Sequence, residues 1–539
     1  MSSVDERGFR GGFRQSMAWL HTWIGLLVGW LLFAIFLTGT LSFYRDEISV
    51  WMQPELHASR ADAHTPQRAL DQLAVLAPAA SSWSVDLPGE RNPGVRLSWR
   101  DPDAPSGRRG TSRAWMDAGS GALLSVRETR GGDFLYRFHF ELYALERGVA
   151  RWIVGFATMF MLIAIVTGVV THKKIFKDFF TFRPGKGQRS WLDAHNATAV
   201  LALPFHFMIT YSGLLLLMYQ LMPWGIQAVY PQEGVRGYVS ELRGSRGAGQ
   251  PEIAIDEGAD GSYALAPVTP MLAYAANLWP GVPVSRISVE RPHGPAPVVE
   301  LRAAWGHSIF NRGATESLRF SGRDGQLLSH EEPENTDVVR GFYNSFTALH
   351  LLRFAGPWLR GLFFVAGLMG TIMIASGLLL WVSKREPQRK KLGSTPRGHR
   401  LVEVLNVAAV SGMVMAIAGY FWANRMLGVE LTARSLWEIR LFFIVWLLAL
   451  LHAALRSYRR AWLEQWTICA VMYAALPLSY LPSWFANGLP AWPVVAVAMA
   501  LLCSAMVSAL VARKLSRPAL ASHRRPKRVT RARALEQQG

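Results

Sequence analysis

The sequence predicts a membrane protein that is mainly α-helical, with about eight transmembrane helices. The first four form an internally duplicated bundle, and each half of it carries a small α+β module. Three observations predict this class. Half of the 539 residues are hydrophobic, uncharged apolar runs recur at the length that crosses a bilayer, and the two halves of residues 17–385 match each other.

The apolar runs fall near 17–43, 151–171, 196–221, 359–383, 402–423, 437–455, 465–486 and 491–512, each read as one continuous helix. The sixth is the least clean, because Glu438 and Arg440 lie at its start. Basic clusters follow every second run: HKKIFKDFFTFRPGKGQR, KREPQRKKLGSTPRGHR, RSYRR and the tail from RKLSRP onward. Arg7, Arg10 and Arg14 precede the first run. The bias of Lys and Arg toward cytoplasmic loops places both termini and these clusters in the cytoplasm. The first run is too long, and lacks a small-residue cleavage site, for a removable signal peptide, so it stays as an anchor. The net charge of +19 is therefore topological and argues against nucleic acid as a partner. Cys469 and Cys503 sit inside apolar runs, which excludes a disulfide framework, a Cys-rich zinc site and c-type haem attachment.

The organisation follows in order. Residues 1–16 are a cytoplasmic N-terminus, and 17–172 form a first repeat whose module spans 44–150. A cytoplasmic loop, 173–195, leads to a second repeat, 196–385, with its module at 222–358. A loop at 386–400, four additional helices at 401–513 and a basic tail at 514–539 complete the chain. Each module reads as a helix with spaced alanines (TPQRALDQLAVLAPAA; TPMLAYAANLWP) followed by antiparallel strands and a Gly turn before paired leucines.

The repeat carries a pattern of histidines. His21 lies 18 residues before Gly39, and His195 lies 18 before Gly213. His139 precedes Gly168 by 29 residues, and His350 precedes Gly377 by 27. The pairs Thr38-Gly39, Thr167-Gly168, Ser212-Gly213 and Ser376-Gly377 read as small residues that let helices pack closely. His57, His64, His293, His307, His330, His399 and His523 fall in polar loops or the tail, where solvent exposure is expected. His452 is expected at an interface. Six remain in or beside the four-helix unit: His21, His139, His172, His195, His206 and His350.

Ionisable residues are costly in a bilayer and mark functional sites. Zinc and iron(II) sites mix histidine with carboxylate or thiolate, which these spans nearly lack. Paired imidazoles from facing helices suit low-spin haem. A proton relay is the competing use. The repeat favours His21 with His195 on an inner haem b and His139 with His350 on an outer one. His172 corresponds to Trp381 and His206 to Leu32, so these two break the symmetry as replacement ligands or supporting groups. Eleven residues also return to nearly the same face of a continuous helix, so direct ligation of stacked haems by His195 and His206 stays open.

The stretches WLHTWIGLLVGWLLFAIFLTGTLSFYRDEI, THKKIFKDFFTFRPGKGQRSWLDAHN, PFHFMITYSGLLLLMY and GLFFVAGLMGTIMIASGLLLWVSKR resemble the PepSY-associated transmembrane family over about residues 15–387. That family includes iron-regulated inner-membrane ferrisiderophore reductases. The resemblance implies periplasmic PepSY-like modules and b-type haems that pass electrons outward to siderophore-bound iron. His21, His139, His172, His195 and His350 carry over, and His206 lies in a matching stretch. The expected acceptor is a ferric siderophore or other ferric chelate in the periplasm, of a bacterial inner membrane. Arg96, Trp99, Trp115, Arg137, Trp305 and Arg319 are candidates to meet an anionic or aromatic chelate. Cytoplasmic loops of about 20 residues hold no flavin or nicotinamide domain, and no G-x-G-x-x-G follows a strand. The donor is then a membrane quinol or a separate reductase, and 401–513 either supplies its docking site or has a purely structural or dimerising role. The rival reading is a non-redox transporter or an assembly factor whose modules bind a partner.

Overall fold

The stretch from Phe13 to Ser42 holds a single Lys, Arg, Asp or Glu, Arg14, and forms a thirty-residue helix, α1. At 1.5 Å per residue it is about 45 Å long, more than a bilayer's hydrocarbon core. The computed structural model describes residues 12–105, 110–172, 183, 185, 187–242, 264–306, 308–333, 337–488 and 490–517. Arg7, Arg10, His307, His523, most of the first basic loop and the tail past 517 lie outside the described residues.

After α1 come α2 (Arg45–Trp51), α3 (Thr65–Leu76), strands β1 (Ser82–Asp86), β2 (Val95–Arg100), β3 (Ser112–Met116) and β4 (Leu123–Leu124), then α4 (Gly131–Glu141) and α5 (Arg147–Thr171). The second repeat supplies α6 (Gln188–Leu201), α7 (Leu203–Leu216), α8 (Met218–Leu221), α9 (Pro223–Val229), α10 (Val235–Leu242) and α11 (Val268–Leu278). It continues through β5 (Val284–Glu290), β6 (Val298–Ala303), β7 (Ser317–Ser321), β8 (Leu327–Glu331), α12 (Val338–Leu351) and α13 (Pro357–Leu392). The last part holds α14 (Arg397–Val407), a π-helical turn at Ala408–Gly412, α15 (Met413–Met426), α16 (Arg434–Leu455), α17 (Tyr458–Leu478), α18 (Leu481–Asn487) and α19 (Trp492–Ser516). Seven helices among the described residues are long and apolar enough to cross a membrane, or eight if α6 and α7 form one bent span. The chain is a multi-pass membrane protein.

Two features depart from the sequence reading. The third span is broken: α6 and α7 meet at a 69° bend. Pro204 sits in the first turn of α7, where it lacks the N–H and crowds the preceding turn, so the helix of α6 ends at Leu201. His195 and His206 are therefore on two differently directed helices, and the argument that they share a face fails. The two modules are also not separate. Their strands form one eight-stranded antiparallel sheet in the order β4-β3-β2-β1-β5-β6-β7-β8. The halves meet at β1 and β5, with Ser84 opposite Ser288 at the centre of the register. Each half alone would leave that strand as an open edge, and pairing the two removes both edges. Helices α3 and α11 supply Leu70, Leu73, Met271 and Ala275 to a core shared with Val85, Leu97, Ile287, Leu301 and Phe320 of the strands.

The C-terminal helices dock on the first repeat. Phe134 and Phe138 of α4 pack against Tyr420 and Phe442. Trp30 donates to Asn406 at 2.8 Å, and the Tyr480 hydroxyl donates to the Trp51 carbonyl at 2.9 Å. Two expected surface histidines are buried by this region. His57 lies under Tyr480, with ring centroids 5.6 Å apart, and His399 lies against Trp381 at 5.9 Å. Arg434 and Glu438, both fully buried, pair with each other, and Glu438 also accepts from Thr129 and Asn424. Removing one partner of such a pair leaves an uncompensated buried charge, at a cost of about 3–5 kcal/mol. Arg434→Leu is therefore expected to lower the apparent melting temperature of detergent-solubilised protein. The double variant Arg434→Leu/Glu438→Leu is expected to lower it less, and an equal or larger loss in the double variant would contradict this account.

Candidate functional site

The described residues bring four of the six histidines together as two facing pairs. His21 of α1 faces His195 of α6 with ring centroids 6.1 Å apart and planes at 72°. His139 of α4 faces His350 of α12 at the same 6.1 Å, with planes at 40°. The first pair lines a cavity of about 290 Å³ on the side of Lys384 and Arg385. The second lines one of about 380 Å³ beside the sheet. Leu32 and Met161 line both cavities and so form the wall between them. Along α1, His21 and the Ile35 carbonyl bonded to His139 are 14 residues apart, which sets the two levels roughly 20 Å apart.

Each ring is held in one tautomer. Nδ1 of His21 lies 2.9 Å from the Ala164 carbonyl, that of His195 2.8 Å from Met373 O, and that of His139 2.8 Å from Ile35 O. A carbonyl only accepts, so Nδ1 carries the proton in all three. His350 Nδ1 lies 2.8 Å from Ser212 Oγ, whose own proton goes to Met208 O, so here too Nδ1–H donates. The lone pair on Nε2 is left for the cavity, the arrangement in which a backbone contact orients a metal-binding imidazole. Burial pushes both sheet-side imidazoles below the ordinary histidine range, His350 down to about 3 with His139 beside it, so both are neutral.

The glycines of the repeat explain how rings fit between helices. A Cβ on Gly168 would come 3.2 Å from the His21 ring, and one on Gly377 would come 3.2 Å from His195. On the sheet side, a Cβ on Gly39 would come 2.6 Å from His139, and one on Gly213 would come 3.3 Å from His350. The pairing is crossed: the glycine at fixed spacing from a histidine serves the ring at the other level. Close packing by small residues is present, but what packs on them is imidazole. At the sheet side both histidine helices end in a left-handed leucine, Leu142 and Leu352, each with φ 50°. These turns, strained for a side chain of that size, redirect the chain into α5 and α13.

The two unpaired histidines differ. His172, at the end of α5, receives the Asn196 amide on Nε2 at 2.9 Å, while its buried Nδ1 has no partner. It lines the same cavity as Trp381, its counterpart in the repeat. His206, 1% exposed, has its Nε2 unpartnered and lies against Phe36 and Gly370. Phe36 lines the sheet-side cavity and His206 the other, so this contact lies on the partition.

The separation of the rings tests a fit to haem. A metal–imidazole bond of about 2 Å, with roughly 1 Å from nitrogen to ring centre, puts two axial rings about 6 Å apart. Both pairs match. Among the described residues no three His, Cys, Asp or Glu gather as a metal site. Two nitrogens hold a bare ion poorly, whereas a macrocycle brings its own equatorial ligands.

None of the six aromatic and arginine candidates of the modules lines either cavity. Arg96 stacks on Trp115 at 4.5 Å, Arg137 reaches Glu141 at 3.8 Å, and Arg319 is buried between Glu290 and Glu331. The sheet-side cavity is lined instead by Arg45, Arg91, Arg151, Arg312, Arg353 and Arg360. In sequence these six are scattered, and what they share is a place next to the end of a helix or in a loop between strands.

The profile of the PepSY-associated TM region matches residues 18–384. An uncharacterized protein of Pseudomonas aeruginosa is similar, 30% identical over 342 residues that cover 60% of this chain and 79% of the relative.

The glycine contacts rank the cost of filling them. Gly39→Ala meets a ring already fixed by Ile35, so it is expected to lower the apparent melting temperature clearly more than Gly213→Ala, where contact is near the ordinary limit. Equal shifts would mean that His139 has room to retreat.

Proposed function

The chain belongs to the PepSY-associated TM region family, and on that premise we propose that it is a transmembrane electron carrier with two b-type haems. It takes electrons at the basic face and reduces a ferric siderophore or another ferric chelate at the sheet face, in iron uptake. The orientation in this reading puts the sheet in the periplasm of a bacterial inner membrane and both termini in the cytoplasm. The observation that carries the reading is the duplicated pair of imidazoles, equal in separation and tautomer at two levels.

Haem held by paired imidazoles would supply one-electron transfer. His21 with His195, and His139 with His350, are the residues that would hold it. The glycines opposite each ring make its place, and the bonds from Nδ1 fix its orientation. Leu32 and Met161 keep the partition apolar and thin. His206 and Phe36 lie on that partition, and His172 supports the basic-side wall through Asn196. A quinol or a separate reductase is the donor, and reduction to iron(II) loosens a hard-oxygen chelate.

The broken span is the one feature that favours the rival, a non-redox transporter or assembly factor, because transporters build substrate sites at such breaks. The half-helix ends here, around Leu201 to His206, carry no Asp, Glu, Lys or Arg to coordinate a substrate ion.

Protein purified after haem-replete expression is expected to show a reducible b-type Soret band, and purification without haem would refute the proposal. His139→Ala or His350→Ala is expected to remove one haem and leave the other, and His21→Ala or His195→Ala the converse. His206→Leu is expected to retain both. Spectra unchanged in all four alanine variants would exclude these histidines as ligands.

A further inference from the structure

The arginines of the sheet-side cavity come from six separate places: the start of α2, the β1–β2 loop, α5, the β6–β7 loop, the α12–α13 link and the first turn of α13. The cavity wall contains no Asp or Glu among the described residues. Four of the arginines have carboxylates behind them. Arg91 holds Glu47 with two nitrogens at 2.7 and 2.6 Å, and Arg360 reaches the same Glu47 at 3.3 Å. Arg45 pairs with Asp46 and Asp133, and Arg151 with Glu141. Four cations therefore face four carboxylates. Arg312 and Arg353 are exposed at the rim of the same cavity.

The rim is a built feature. Arg312 has φ 57° and Gly313 φ 68°, a left-handed pair that turns the loop toward the bundle. A Cβ on Gly313 would come 3.3 Å from Phe354, the residue next to Arg353. Asn344 of α12 donates to the Phe310 carbonyl at 2.8 Å, which ties the same loop to the helix of His350. Two arginines 41 positions apart in sequence are thus brought to one mouth over the His139–His350 pair.

We infer that this mouth is a receptor for the carboxylates of an anionic ligand, recognised by Arg312 and Arg353 with Arg360 beneath them. Guanidinium forks match carboxylates in shape and charge, and a rim of one sign concentrates an anion before it docks. The cavity beneath the rim is the one lined by His139 and His350, so the ligand docks at its mouth. Taken with the electron-carrier reading, on which it rests for the ligand's identity, the acceptor is a ferric chelate with free carboxylates and net negative charge. Neutral or cationic ferric chelates are poor ligands. A second source of the same chemistry is the carboxylates of a haem seated in the cavity.

The test is calorimetric binding of ferric citrate to the full-length protein in detergent, with haem content measured on the same samples. Arg312→Gln and Arg353→Gln are each expected to weaken ferric citrate roughly threefold to tenfold, and the double variant more, with binding that also falls at high salt. Arg302→Gln, on the sheet and outside the cavity, is expected to change nothing, and hexaammineruthenium(III) is not expected to gain from the arginines. Weaker citrate binding with haem retained assigns the rim to the acceptor. Haem lost from the double variant assigns it to the haem's own carboxylates. Arginine-dependent citrate binding in haem-free protein would keep the anion site and remove the electron-carrier reading. A double variant that keeps haem and binds citrate as the unaltered protein does would overturn the inference.

Discussion

An imidazole ring has to lie between two helices without pushing them apart, and most of the bundle follows from how that is done. Each of the four rings rests on a glycine of the neighbouring helix and gives its Nδ1 proton to an oxygen on that same helix. The glycine removes the Cβ that would occupy the ring's place, and the hydrogen bond stops the ring from turning. Both conditions are local to one helical turn: Gly168 lies four residues from Ala164, and Gly377 four from Met373. Each repeat thus needs one ring and one glycine at each of two levels. Helix α1 does both, with His21 at one level and Gly39 at the other; in the rest of the bundle ring and glycine come from consecutive helices.

The sheet secures the same symmetry from outside the bundle. The register of β1 on β5 centres on Ser84 and Ser288, so the local twofold of the sheet relates the same two repeats as the histidine pairs. Helices α4 and α12 follow the outermost strands of the two halves, β4 and β8, and carry His139 and His350 back to the middle. A slip between β1 and β5 would move one histidine helix against the other and would also turn apolar side chains to the wrong face. The 6.1 Å gap between those rings is therefore protected by a core some distance from it.

Much of this was readable in the chain. Span positions, the duplication and the two histidine pairs follow from apolar length and from repeated spacing, signals that survive in one dimension. The crossed contacts do not, because a glycine's partner lies on another helix and the interval to its own histidine hides it. The break in the third span was signalled by Pro204, but the apolar run continues across it and hydropathy does not register direction. The joined sheet was hidden because β1 and β5 are about 200 residues apart, and nothing in either strand marks it as an edge that seeks the other. His57 and His399 read as loop residues since their covers, Tyr480 and Trp381, are contributed by other elements. The cavity arginines were missed for the same reason: charge converges in space and is diluted in sequence.

The symmetry of the ligand pairs contrasts with the asymmetry around them. The C-terminal helices bury Phe134 and Phe138 of α4, whereas α12, its counterpart, leaves Val338, Val339 and Phe342 exposed. The cavities differ as well, with six arginines around one and Lys384 and Arg385 at the other. On the electron-carrier reading the charge at each cavity bears on the centre it would hold. Reduction would add one negative charge to a centre held there, and nearby positive charge favours that state. The exposed rim, whose charge an anionic ligand would partly neutralise, then links occupancy of the mouth to how strongly the centre beneath it holds its electron.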